Sequence, residues 1–238
     1  MKKGILLLLF IAYNLSFIYG QTAADSLVNK CINALGGKAK LESIHTLFEE
    51  GTYDAGGNLI PVKNWMENDK ASRSESVVNG MTGYTIMRND SGWSFDPTFG
   101  ETAPQPLTQS QVKQSQFGLD IQSPLLNYKQ KGYSLNYLGV TDELDGSDAY
   151  KLELVVNDSL AVTYYIDPDS YLTICAKTRE IVNGRTQTNS TYYSDYQKTP
   201  EGYIFPMETG GVKYKTIKVN PVIAKSVFMP GKATANHT

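Results

Sequence analysis

From residue 45 onward the chain alternates short runs rich in Tyr, Thr, Val and Ile with turn signals, a punctuation that antiparallel hairpins satisfy most directly. The signals are Gly56-Gly57-Asn58, Asn79-Gly80, Asp145-Gly146, Asp167-Pro168-Asp169, Asn183-Gly184 and Glu201-Gly202. Gly, Asn and Asp supply the backbone angles that tight turns require. Between them lie candidate strands at 45–53, 60–67, 72–78, 81–88, 92–96, 133–140, 149–156, 160–166, 171–182, 185–196, 203–208 and 211–220. The expected class is mainly β, an α+β chain.

Helical patterning is confined to three places. From Asp25 to Leu35 the apolar residues Leu27, Val28, Cys31, Ile32 and Leu35 recur on one helical face. Thr22 and Asp25 are spaced like a capping box, and Gly36-Gly37 supplies the stop. Thr108 with Gln111 opens a second helix over 109–116, and a third is expected over 121–128. One helix in front of the meander and two short ones inside it suggest a strongly curved sheet with helices over its concave face. No linker, repeat or low-complexity block interrupts residues 21–238, so one domain is expected.

The first twenty residues read differently. Lys2 and Lys3 precede an apolar run from Ile5 to Ala12, and the segment closes on Tyr19-Gly20, the pattern of a cleaved secretory signal over residues 1–20. Asn14 interrupts the run, which falls short of the roughly 20 apolar residues a spanning helix needs. The mature chain is therefore expected to carry no transmembrane segment and to work outside the cytoplasm, where disulfides persist. Cys31 on a helical face and Cys175 in an apolar strand then fit either a bridge or two buried thiols.

Several functions lose their chemical basis. A net charge of -2 without a basic run lacks the electrostatic footprint of nucleic-acid binding. Two His and two Cys cannot build a Cys/His zinc site, and Asp142, Asp145 and Asp148 have the spacing of an acidic turn rather than of an EF-hand loop. Nucleophile-elbow, zinc-protease and phosphate-loop motifs are missing from the sequence. Ser110 and Lys113 match only the short S-x-x-K pattern, and His45 stands alone, so a hydrolase ranks last. No cofactor is expected.

A set of ordered motifs carries a resemblance. Ala34-Leu35-Gly36-Gly37, Gly92-Trp93 with Pro97 and Gly100, Pro104-Gln105-Pro106, Tyr150-Lys151-Leu152, Tyr165-Ile166-Asp167, Tyr193-Ser194-Asp195-Tyr196 and Phe205-Pro206 occur in an order that resembles secreted LolA-like, outer-membrane lipoprotein-sorting proteins of Bacteroidota type. The resemblance runs from about Ala24 to Pro230. It implies a single curved antiparallel sheet forming an unclosed β-barrel, short lid helices over an apolar cavity, and no enzymatic activity. It also implies a periplasmic or further exported carrier of lipoprotein acyl chains or other lipids, with envelope donor and acceptor proteins as partners. One departure stands out: Glu49, Asn64, Ser72 and Ser74 are polar at inward positions that the resemblance fills with apolar residues, unless Phe48 is the inward residue of its strand.

Aromatic residues make up 11% of the chain, and several cluster on strands near the expected lid. Trp65, Tyr84, Trp93 and Phe95, with Met81, Ile86 and Leu107, form the candidate lipid-binding cavity, because aromatics combine large apolar area with a polar handle. Leu125 and Leu126 are the candidate lid residues. A protein-interaction or stress-sensor module on the same scaffold is the alternative function.

Overall fold

A computed structural model describes residues 23–144, 146–182 and 184–231. The expected signal at 1–20, Thr22 of the first capping box, Asp145 and Asn183 lie outside the described residues. Thirteen strands form one antiparallel sheet that is not closed. They are β1 (Thr46–Asp54), β2 (Leu59–Glu67), β3 (Ala71–Val78), β4 (Met81–Arg88), β5 (Gly92–Phe95), β6 (Gln105–Pro106), β7 (Ser134–Leu144), β8 (Ser147–Asn157), β9 (Leu160–Ile166), β10 (Thr173–Val182), β11 (Arg185–Lys198), β12 (Ile204–Thr209) and β13 (Val212–Val219). In space they run β6-β5-β4-β3-β2-β1-β13-β12-β11-β10-β9-β8-β7. Every neighbour is a sequential hairpin partner except β1 and β13.

The chain divides into two compact units. One holds residues up to Lys38 together with Leu125–Ser194, and the other holds Ala39–Pro124 and the chain from Asp195 on. In the first unit, helix α1, described over 23–34, buries Leu27, Val28, Cys31 and Ile32, the face its periodicity marks. It stops where Gly36 and Gly37 take left-handed φ, with the Gly37 N–H donating to the Ile32 carbonyl across the last turn. Leu152, Leu154, Ile166 and Cys175 are fully buried on β8, β9 and β10, a core of adjacent strands in which Tyr165 faces both Lys151 and Cys175.

The second unit contains β1 to β6, β12, β13, the short helix α2 (Lys38–Glu42) apart from its first residue, and α3 (Gln109–Ser115). The α3 capping box forms as its residues require: the Thr108 hydroxyl accepts from the Gln111 N–H, and the Gln111 side chain accepts from the Thr108 N–H. Val112 of α3 and Leu119 of the 3-10 turn Gln116–Leu119 pack on Met87 of β4, with Leu107 beside them.

One local expectation is corrected, and one short strand is added. Residues 121–128 form turns rather than a lid helix: Ser123 precedes Pro124, whose ring disfavours the helical region for the residue before it, and both Ser123 and Asn127 have positive φ. The two-residue β6, pairing Gln105 and Pro106 with Ser94 and Trp93, is too short for a periodic signal.

Candidate functional site

Registers in the second unit assign every side chain of β1 to β5 to one of two faces, because residues directly opposite each other project the same way. On the first face, Trp93, Ile86, Arg73, Trp65 and Phe48 lie in one cross-strand row, and Phe95, Tyr84, Glu75, Lys63 and Glu50 in the next. On the second face the corresponding rows are Gly92, Met87, Ser72, Met66, Leu47 with Val219, and Ser94, Thr85, Ser74, Asn64, Glu49 with Ile217. Helix α3 packs on the second face through Met87.

The first face is occupied. Arg73 and Glu75 form a buried ion pair, Nε to Oε1 at 2.6 Å, at 5% and 9% side-chain exposure. The Arg73 guanidinium lies 4.1 Å from the Tyr84 ring centre and donates to the Val227 carbonyl at 3.2 Å. The Tyr84 hydroxyl donates to the Gly231 carbonyl at 2.7 Å, and Phe228 of the 3-10 turn Lys225–Phe228 is buried. The C-terminal segment is thus tied down by hydrogen bonds over the centre of this face.

Five of the seven candidate cavity residues, Trp65, Tyr84, Ile86, Trp93 and Phe95, belong to this occupied face. Tyr84 and Ile86 are buried there, Tyr84 stacks tilted on Phe95 at 5.5 Å, and Trp65 on Phe48 at 5.4 Å. Leu107 lies instead with Met87, Val112 and Leu119, and Met81, exposed at the start of β4, has the opposite strand parity to Tyr84 and Ile86. The set is therefore split between two faces. Leu125 and Leu126 are in the other unit, buried against a pocket of about 290 Å³ that Val28 and Ile32 of α1 also line. Cys31 and Cys175 are free buried thiols; burial pushes the Cys31 thiol up to about 12. Ser110, Lys113 and His45 are exposed.

The second face has one apolar row beside one polar row. Leu47 and Met87 are buried in the first, and Ser74 and Thr85 are exposed in the second. Glu49, Asn64, Ser72 and Ser74 do share this face, while Phe48 projects to the other. Asn64 Nδ2 donates to Glu49 Oε2 at 3.0 Å and lies 3.5 Å from the Tyr214 hydroxyl. Burial pushes the Glu49 carboxyl up, against the opposing pull of its hydrogen bonds with Asn64 and Tyr214.

Tyr214 reaches this face because of a bulge. Between Glu50 and Gly51 the β1–β13 register skips a residue of β13, passing from Glu50 opposite Thr216 to Gly51 opposite Tyr214. The skip moves Tyr214 from the parity of Thr216 to that of Glu49. Glycine is needed at the bulge, since a Cβ at Gly51 would stand 2.3 Å from the Lys213 carbonyl oxygen. Gly92 has a comparable role, for its Cβ would meet Leu107 at 2.8 Å.

Two comparisons found nothing: no family model matches the chain, and no curated protein matches it. Solved structures do. A LolA superfamily protein from Nitrosomonas europaea superposes with a TM-score of 0.53 at 15% identity, covering 87% of this chain and 97% of its own. The fold is LolA-like. A chain described as an outer membrane lipoprotein-sorting protein domain from Vibrio parahaemolyticus gives 0.53 at 11% identity over 86% and 97% of the two chains. A DUF1329 family protein from Desulfovibrio piger gives 0.51 at 15%, over 87% and 97%. The likeness is one of fold alone and does not extend to a Bacteroidota type.

On this LolA-like fold, sequence reasoning missed Met66, Met87 and Tyr214 as members of the candidate face. Leu47 and Glu49 share a strand parity that the sequence displays, but the inter-strand register that joins them to β2, β3 and β4 has no one-dimensional signature. The bulge that redirects Tyr214 has only Gly51 to announce it.

Proposed function

We propose that the protein is a non-enzymatic carrier of lipoprotein acyl chains or other lipids, exported through its N-terminal segment and working in the periplasm. The observation that carries the reading is the second face of the LolA-like sheet, where an apolar row beginning under α3 runs along a polar one. An amphiphile laid along these rows would bury its chain against Met87, Met66, Leu47 and Val219 and keep its polar end over Asn64 and Glu49. At about 25 cal/mol per Å² a 16-carbon chain gains roughly 10 kcal/mol gross before the costs of binding, enough to hold a lipid without covalent chemistry.

Cargo on the first face would have to displace the C-terminal segment and uncover the Arg73–Glu75 pair, whereas on the second face it would displace the apolar cover of α3 and the Gln116–Leu119 turn over Met87. Leu107 and Met81 accordingly belong with the proposed site, and Trp65, Tyr84, Ile86, Trp93 and Phe95 with the core behind it. Among the described residues no helix is long and apolar enough to cross a membrane.

Native mass spectrometry with lipid extraction tests the reading on protein produced with its own N-terminal segment. The expected result is a bound lipid or acylated peptide that is lost in Met66→Arg and kept in Trp93→Ala. A ligand-free mass for the wild type, with a partner protein co-purifying instead, would replace the carrier by an interaction module.

A further inference from the structure

Among the described residues, the polar row contains a carboxylate, Glu49, that forms no ion pair with a cation. The basic side chains on the neighbouring strands are committed to the first face: Lys63 and Lys215 stand 3.6 and 3.4 Å from Glu50, Arg73 pairs with Glu75, and Lys218 lies over the Phe48 ring. Register puts Arg88 on that face as well, opposite Ala71. Asn64 directs its amide N–H groups at Glu49 and Tyr214, so toward a ligand it offers its carbonyl oxygen. Glu49 Oε1 and Asn64 Oδ1 are then both acceptors, on a face whose other polar members, Ser74 and Thr85, carry no charge.

Such an arrangement repels phosphate and carboxylate and suits a positively charged N–H donor, whose bonds to a partly desolvated carboxylate are charge-assisted. The bulge at Gly51 adds the Tyr214 hydroxyl to the same point. Resting on the carrier reading above, we propose that Glu49, Asn64 and Tyr214 form a subsite for a protonated amine on the polar end of an amphiphilic cargo. The apolar row would set affinity for the chain, and the Glu49 subsite would set which head group is accepted.

The test uses the full chain and two single-chain amphiphiles of equal length, dodecylamine and dodecanoate, titrated calorimetrically below their micelle concentrations at pH 7.5. Wild type is expected to prefer dodecylamine by about tenfold or more, the scale of one charge-assisted hydrogen bond. Glu49→Gln, which keeps the shape and the Asn64 contact, should bring the two affinities within about threefold. Glu180→Gln, the same charge change at a half-buried position of β10 in the other unit, should leave the preference intact.

Equal binding of the two amphiphiles by wild type, or a preference that survives in Glu49→Gln, would overturn the amine subsite and leave the carrier reading standing. Failure of wild type to bind either would overturn both. An amine on a lipid head and one on an acylated peptide are told apart by repeating the titration with short-chain phosphatidylethanolamine and with N-dodecanoyl-glycyl-lysine amide. The Glu49-dependent affinity identifies the source.

Discussion

Two carboxylates on opposite faces of the same sheet illustrate how residue environment decides energetic role. Glu75 is buried against Arg73 at 2.6 Å, so removing the guanidinium leaves a charge with neither water nor partner. Arg73→Met should cost about 3–5 kcal/mol in urea denaturation, and adding Glu75→Leu should recover most of it, because apolar replacement of both members removes the stranded charge. Glu49 behaves in the opposite sense. Its folded-state carboxyl is pushed above the ordinary value of 4.5 by burial, so folding favours the protonated form. The stability that this proton confers is present below the ordinary value and is lost as pH rises through the folded one. Glu49→Gln should therefore raise the urea midpoint at pH 7.5, with the gain closing as pH falls toward 4. Neither role can be read from a glutamate in a sequence. Phe48 and Glu49 are adjacent, and a one-residue change of register exchanges which of them lies beside Asn64.

At the scale of elements, local chemistry was far more legible. The six turn signals each fall between consecutive strands, the α1 face is buried as its period requires, and the Thr108–Gln111 box forms. Thr108→Ala should cost about 1 kcal/mol, the usual value of an N-cap side chain. The expected helix over 121–128 failed where an apolar run outweighed the Ser123-Pro124 boundary, and the strand β7 extends beyond its expected end through two register shifts, after Tyr137 and after Thr141. Irregularity of this kind is specified by partner strands, which is also why the bulge in β13 opposite Gly51 was invisible. Gly51→Ala forces a Cβ to within 2.3 Å of the Lys213 carbonyl, with backbone on the other side of the contact, so the strands must separate or the bulge must shift. A loss of about 3 kcal/mol or more is expected in thermal unfolding, as for other backbone-level clashes. Dodecylamine selectivity should fall in the same variant wherever it still folds, since Tyr214 reaches Glu49 only through that register.

For the whole molecule, hairpin punctuation gives the sequential neighbours but not the β1–β13 pairing, which joins strands separated by nearly the full described chain and brings Tyr214 and Ile217 to Glu49. The chain forms two compact units, each with its own buried cluster. Both tryptophans, Trp65 and Trp93, belong to the unit that carries the candidate face. Their fluorescence therefore reports that unit by itself, while a far-UV signal sums over both. A ligand that binds only the folded unit stabilises it by mass action, about 2.7 kcal/mol when its free concentration is a hundred times its dissociation constant. For a chain of this size each kcal/mol moves the melting midpoint by about 2–4 °C, so a saturating amphiphile should raise the tryptophan-detected transition by about 5–10 °C. Met66→Arg should abolish the rise without abolishing the transition, because Met66 is only partly buried. Trp65 remains as the reporter in Trp93→Ala, which should retain the rise; its loss there, with Met66→Arg unaffected, would transfer the cargo to the face that the C-terminal segment covers.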